Sequence, residues 1–307
     1  MEAKTSTDKF PKLGPEHEQA IARALEHAGG YVPAAVVNAI VASGVPIDEL
    51  MLSLIPRAQQ YAIPPISNFK VGAVALGNSG SLYFGANFEY VGEALSLCVH
   101  GEQAATAHAI SYGEQGLQKL AVSAAPCGYC RQFLYELTTA QTLSVLVPKT
   151  ADTLLTALLP AAFGPSDLGV TAALMSPQAH RLELASGHGA DPVVTAALVA
   201  ANASYAPYSF SYAGVALKLK NGAVYTGSYA ENAAYNPSMA PLEAALVSLV
   251  IRGKASYADL TEAVLVQVKG AKANCEAVTR AVLHSIAPTL QLRVHHAVAP
   301  QSGNSHS

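Results

Sequence analysis

Apolar residues recur at helical spacing along the first stretch of the chain and then give way to alternating and β-branched runs. Ile21 and Leu25, then Val36, Val37, Ile40 and Val41, then Ile47, Leu50, Met51 and Leu54 fall three and four apart, the spacing that puts them on one face of a helix. Pro33 and Pro46 open two of these segments, as a first-turn proline does. Residues 1–56 therefore read as a helical segment whose business is packing. After Pro64-Pro65 the run Phe69-Lys-Val-Gly-Ala-Val-Ala-Leu76 is closed by Gly77-Asn-Ser-Gly80 and answered by Ser81-Leu-Tyr-Phe84, which predicts a β-hairpin. The pattern then predicts a helix over 97–112, with Ala104, Ala105, Ala107 and Ala109 allowing close packing on a sheet, a strand over 120–125, a helix over 127–139 and a strand over 143–147. Strands interleaved with helices across residues 57–150 argue for a three-layer α/β/α sandwich.

From 151 to 190 the character changes: Leu154-Leu-Thr-Ala-Leu-Leu159 looks helical and Ser186-Gly-His-Gly189 looks like a linker. Residues 191–299 then repeat the first sandwich in degraded form. Phe210 to Leu217 matches Phe69 to Leu76, Gly227 to Glu231 echoes Gly85 to Glu89, Glu243 falls opposite Glu102, and Pro241 stands where His100 would recur. On that comparison Glu243 is a relic and the second copy is non-catalytic. The tail at 300–307 has no apolar content and is predicted to be disordered; His306, His295 and His296 carry no assigned role.

Composition narrows the class. With 51% hydrophobic and 13% charged residues among 307, the chain can build a sizeable core. A net charge of −3 and 18 basic residues, with no Lys/Arg cluster interleaved with aromatics, exclude an electrostatic footprint for DNA or RNA. No apolar run approaches a membrane span, and the N-terminus, mixing Glu2, Lys4, Asp8 and Lys9, lacks the character of a targeting peptide. These features predict a cytosolic protein with no membrane partner; an organellar form stays open.

The chemistry is concentrated in Cys98-Val-His-Gly-Glu-Gln103 and Pro126-Cys-Gly-Tyr-Cys-Arg-Gln132. His100, Cys127 and Cys130 offer one imidazole and two thiols, three corners of a zinc tetrahedron whose fourth corner stays open to water. Both cysteines fall where a strand hands over to a helix, and a helix N-terminus followed by Arg131 favours thiolate over thiol. Glu102, two residues beyond the imidazole, cannot readily bind the same ion but can reach water held there, which suits a proton shuttle. A redox Cys-x-x-Cys is the rival reading, though it has no need of His100-x-Glu102. Cys98 reads as a spare ligand or a small buried side chain, and Cys275 as structural. Asn87 and Glu89 alternate with Phe88 and share one strand face, ordinary polar positions on spacing alone, while Phe69 reads by default as core.

His-x-Glu followed by Pro-Cys-x-x-Cys resembles the signature of the zinc nucleobase and nucleoside deaminases. The surrounding Ser67-Asn-Phe-Lys-Val-Gly-Ala73, Phe84-Gly-Ala-Asn-Phe-Glu-Tyr90 and Ala121 to Leu134 are similar to the cytidine deaminases, in their long, two-domain, homodimeric form. The resemblance implies a duplicated cytidine deaminase-like sandwich behind an N-terminal helical segment. It implies one Zn²⁺ per chain held by His100, Cys127 and Cys130, with Glu102 as acid/base, and hydrolysis of cytidine, with deoxycytidine, to uridine and ammonia in pyrimidine salvage. It places Asn87 and Glu89 on the ribose, Phe69 against the pyrimidine, and the backbone at Gly101 and Ala125 on the base edge. Gly101 departs from the alanine usual in the family and should loosen the turn slightly. Ala162-Phe163-Gly-Pro165 resembles a stretch whose phenylalanine reaches an active site, this chain's or the partner subunit's. Ala234 and Tyr235, in Glu231-Asn-Ala-Ala-Tyr-Asn-Pro237, match a pair brought to the site of the other protomer. Two alternatives stand beside this reading: a non-catalytic zinc-stabilised scaffold, and a deaminase of another nucleoside or nucleotide.

Overall fold

The computed structural model describes residues 9–185 and 191–298. The linker expected at Ser186 to Gly189, the N-terminus through Asp8 and the tail from Pro300, with His306, lie outside the described residues. The chain forms two compact units. The first comprises residues 1–176 with 232–238 and 247–256; the second comprises 177–231, 239–246 and 257–307.

In the first unit three helices come first, α1 (Pro15–His27), α2 (Ala34–Ala42) and α3 (Ile47–Ala58), with a two-residue strand β1 (Tyr31–Val32) between α1 and α2. Pro33 and Pro46 stand at the N-caps of α2 and α3, one position before the first turn; their backbone there is extended, which the proline ring tolerates as well as it does a helical start. β1 is too short to show a period in the sequence. The hairpin follows as β2 (Gly72–Gly77) and β3 (Leu82–Ala86), then α4 (Gly101–Ser111), β4 (Leu117–Val122), α5 (Gly128–Leu134), β5 (Ser144–Leu146), β6 (Thr153–Leu154) and α6 (Leu155–Leu158). The sheet order is β1-β3-β2-β4-β5-β6, antiparallel except for the β4–β5 pair that α5 connects.

Two glycines reveal the layering. A Cβ at Gly72 would lie 2.7 Å from the Ile55 carbonyl oxygen of α3. A Cβ at Gly85, which pairs with Ala73 and so shares its face, would lie 2.1 Å from the Gly101 oxygen and 2.3 Å from the Ala105 nitrogen of α4. Adjacent residues of a strand point to opposite faces, so α3 and α4 cover the two sides of the sheet and the unit has three layers. Helix α4 starts at 101, not 97, because Phe88 and Val99 exchange backbone hydrogen bonds of 2.9 and 3.0 Å that keep the chain extended as far as His100. The strand before α5 ends at Val122. Helix α5 stops at Leu134, short of 139, since Thr138 donates instead to the Leu174 carbonyl at 3.0 Å.

The second unit contains β7 (Glu183–Leu184), α7 (Pro192–Asn202), β8 (Ala213–Leu219), β9 (Val224–Ser228), α8 (Pro241–Val247), β10 (Leu260–Val268), α9 (Cys275–Ile286) and β11 (Leu292–Val298). Its order β9-β8-β10-β11 repeats β3-β2-β4-β5, with β7 outside β11. Gly214 abuts α7 as Gly72 abuts α3, and Gly227 abuts α8 as Gly85 abuts α4. The chain is thus a duplicated α/β protein.

The register of the repeat differs from the sequence comparison. Gly227 pairs with Val215 as Gly85 pairs with Ala73, so Phe210 takes the place of Asn68, not of Phe69. Both have positive φ (58° and 55°) and both donate to the carbonyl four residues back, at 3.0 Å. Ser67 and Glu89 recur as Ser209 and Glu231: in each unit one carboxylate oxygen accepts two backbone N–H bonds and the other accepts the serine hydroxyl. At α8 the Ala240 N–H donates to Glu243 Oε2 at 2.9 Å, as the His100 N–H donates to Gln103 Oε1 at 3.2 Å. Ala240 therefore replaces His100, Leu242 replaces Glu102, and Glu243 is the counterpart of Gln103. The expected pairings of Glu243 with Glu102 and Pro241 with His100 are corrected, because the connection from strand to helix is shorter in the second unit than a constant offset allows. Glu243 caps a helix, and burial pushes its carboxyl up to about 8.

Among the described residues no helix is long and apolar enough to cross a membrane. His108 of α4 is fully buried, and its Nδ1 donates to the Phe84 carbonyl at 3.0 Å. Burial lowers its pKa to about 4, against about 6.5 in an unfolded chain. A depressed histidine contributes stability that is complete above about pH 6.5 and lost as the pH falls toward 4, by up to about 3 kcal/mol. Urea unfolding at pH 7 and pH 5 should show the wild type losing more stability than His108→Phe; parallel losses would remove His108 as a cause.

Candidate metal centre and catalytic cavity

His100 is the N-cap of α4 and Cys127 the N-cap of α5, with Cys130 in the first turn of α5. Three-residue spacing puts the two sulfurs on the same side of that helix. Gln103 Oε1 accepts the His100 N–H and so satisfies the backbone at the start of α4. Nδ1 of His100 lies 3.5 Å from the Cys127 sulfur and 3.2 Å from the Cys130 sulfur. The three donors lie within 4.8 Å of one another, a grouping found among the described residues.

The donor chemistry fits zinc. None of the four cysteines is in a disulfide. Cys127 and Cys130 share one proton: the Cys130 thiol donating to Cys127 pulls the latter down to about 5, and the same pairing together with burial pushes Cys130 up. One sulfur is thus an anion already, and an ion bound there displaces the remaining proton. Arg131 does not reach the sulfurs with its hydrogen bonds; it donates to the Pro126 carbonyl at 2.9 Å and the Leu158 carbonyl at 2.8 Å, and so pins the turn that carries Cys127. The thiolate preference comes from the neighbouring sulfur and the helix N-terminus.

Beside this group opens a cavity of about 310 Å³. Its walls bring together His100, Cys127, Glu102, Gly101, Ala125, Phe69, Asn87 and Glu89, all anticipated from the sequence. Glu102 is 4% exposed, and burial pushes its carboxyl up against the opposing pull of its own amide, the Cys130 thiol and His100. Glu89 goes the other way: burial would raise it, but the Ser67 hydroxyl at 2.5 Å and the N–H groups of Ser67 and Ile66 at 2.9 Å prevail and hold it low. Asn87 accepts from the Val71 N–H at 2.8 Å and donates to the Phe69 carbonyl at 3.0 Å. Phe69 is 53% exposed and is a wall of the cavity, not core. A Cβ on Gly101 would meet Val71 at 2.9 Å, so the missing methyl makes room for Val71.

Cys98 and Ser67 also line the cavity. Cys98 is a half-buried wall outside the metal group. Ser67 is not singled out by the sequence reading; the signal that could have found it is turn chemistry, since its hydroxyl accepts the Phe69 N–H two residues on, as serine does at turns. Phe163, Ala234 and Tyr235 are not among the walls. Phe163 and Tyr235 are exposed, the latter at a φ of 62°.

Two family models, each described as the cytidine and deoxycytidylate deaminase zinc-binding region, match residues 46–146 and 155–280. A cytidine deaminase of Shewanella sediminis is 42% identical over 286 residues, spanning 91% of this chain and 95% of its own length. One from Photorhabdus laumondii is 45% identical over 245 residues, 80% of this chain and 82% of its own. The crystal structure of cytidine deaminase from Mycobacterium tuberculosis shares 34% identity, covers 36% of this chain and 91% of that one, and has a TM-score of 0.33.

The donor set predicts one zinc per chain. Metal analysis of Cys130→Ala should show stoichiometry well below that of the wild type, because two remaining donors do not make a zinc site; full retention would rule Cys130 out as a ligand.

Proposed function

The chain belongs to the cytidine deaminases, and from that premise we propose how its residues share the zinc-dependent hydrolytic deamination of cytidine. The observation that carries the reading is a buried carboxyl, Glu102, on the wall of the same cavity as a His/Cys/Cys donor group. His100, Cys127 and Cys130 hold the ion. When bound, zinc supplies the Lewis acidity that makes water nucleophilic near neutral pH. Glu102 takes a proton from the attacking water and delivers it to ring N3 as oxygen bonds to C4. The same carboxyl then takes the remaining proton from the hydroxyl added at C4 and passes it to the 4-amino group; the C4–O bond becomes a carbonyl, the C–N bond breaks, and ammonia and uridine leave. A carboxyl raised by burial holds and releases a proton more readily near neutrality than an exposed one.

Phe69 packs against the pyrimidine, and the backbone at Gly101 and Ala125 reads the base edge. Asn87 and Glu89 take the ribose hydroxyls. Each has capacity left for this: Asn87 has used one amide N–H and one lone pair, and Glu89 three of about four acceptor sites. Their bonds to residues 66–71 also preorganise the wall that carries Phe69. Deoxycytidine fits the same site, and the physiological setting is pyrimidine salvage in the cytosol, a compartment that suits four cysteines outside any disulfide.

The assembly is a homodimer in which Phe163, Ala234 and Tyr235 complete the site of the other protomer. The exposure of Phe163 (45%) and Tyr235 (67%) supports this, since it leaves both rings available to a second protomer.

Glu102→Gln should keep its zinc while ammonia release from cytidine falls by about 10²- to 10⁴-fold; a near-normal rate would take Glu102 out of the mechanism. Cytidine monophosphate should be a much poorer substrate than cytidine, because the ionised Glu89 repels a phosphate beside the sugar. Equal kcat/KM for the two would contradict the placement of Glu89.

A further inference from the structure

We propose that residues 232–238 clamp the two metal-bearing helices of the first unit, with Asn232 and Glu136 as positioning residues for the zinc donors; this rests on the metal reading above. Helix α5 has only seven residues, too few to be stable alone, yet it must hold two of the three donors. Asn232 is fully buried; its Nδ2 donates to the Gln132 carbonyl of α5 at 2.9 Å, and its Oδ1 accepts from Gln132 Nε2 at 3.4 Å. Next in the chain, the Ala233 N–H donates at 2.9 Å to Oε2 of Glu136, a carboxylate with no exposed surface just beyond the end of α5.

The other end of the segment reaches α4. Gln103 donates from Nε2 to the Pro237 carbonyl at 3.5 Å, while its Oε1 accepts the backbone N–H of His100. One buried side chain therefore joins the segment to the residue that supplies the imidazole. The segment is itself a closed turn: the Asn232 N–H donates to Ser238 Oγ at 3.0 Å, and the Tyr235 N–H to the Asn232 carbonyl at 2.9 Å. A turn braced internally and bonded to both helices fixes the distance between the imidazole and the thiols. Although its residues lie in the degenerate half of the sequence, it belongs to the compact unit that holds the donors.

The test is zinc transfer from the full-length, zinc-loaded protein to a chromophoric chelator, with the thiolate-to-metal absorption of the cobalt-substituted protein as a second readout. Asn232→Ala and Glu136→Ala should release zinc about 10- to 100-fold faster, the size of effect seen when partners of metal ligands are removed. Their cobalt bands should shift, which a general loss of stability does not cause, and kcat should fall more than KM rises. Glu136→Gln keeps an oxygen for the Ala233 N–H and should release zinc near the wild-type rate. Should the alanine variants fail to fold, Asn232→Asp decides: it keeps the acceptor for the Ala234 N–H that shapes the turn but loses the donor to Gln132, and fast release is expected. Wild-type release with unshifted cobalt bands in Asn232→Ala, or in Asn232→Asp if that is the variant obtained, overturns the clamp while leaving the metal reading intact. A wild-type protein that takes up no zinc overturns both.

Discussion

Two helix N-termini must be held within a side chain's length of each other for one imidazole and two sulfurs to share a centre. On the α4 side this depends on a glycine in the hairpin: a methyl at Gly85 would stand 2.1 Å from the carbonyl oxygen of Gly101, the residue directly after His100. On the α5 side it depends on Arg131, which ties the turn before Cys127 to the end of α6. Helix N-termini suit the purpose because their unpaired amides and dipole favour the negative charge that thiolates bring. The cavity, the buried acid and the loop carrying Phe69 are arranged around that approach.

Three glutamates illustrate how environment assigns work to one side-chain type. Glu89 receives three donors and is held ionised although partly buried. Glu102 is so deeply buried that its own amide, the Cys130 thiol and His100 together do not offset the cost of its charge, and its proton is bound more tightly. Glu243, buried with a single backbone amide, is raised to about 8 and serves only to cap a helix. Burial acts on all three; the number of donors decides the outcome.

The duplication separates scaffold from chemistry. Both units keep the hairpin, the glycines under the helices, the serine and glutamate that bind the loop before the first hairpin strand, and the side-chain cap on the following helix. The second unit has Ala240 in place of the imidazole and Leu242 in place of the acid, and Asn274 occupies the N-cap of α9 as Cys127 occupies that of α5. What persists satisfies backbone hydrogen bonds, whose loss would cost stability in any copy of the fold. What differs is the donor and the acid that line the metal centre of the first unit.

The sequence by itself determined the donor set and its spacing, the acid two residues from the imidazole, the hairpin and the alternation of strands and helices. Each of these depends on near neighbours in the chain or on a period within one element, as with Cys127 and Cys130 three apart at a helix start. Only the tertiary structure decided where α4 begins, since Phe88 and Val99 had to pair first, and that Ser67 holds Glu89 and Asn87 holds the backbone around Phe69. It alone aligned Glu243 with Gln103, and assigned residues 232–238 to the unit that holds the metal donors. These features rest on hydrogen bonds between residues up to a hundred or more positions apart, and periodicity along the chain carries no record of which distant amide a side chain will meet.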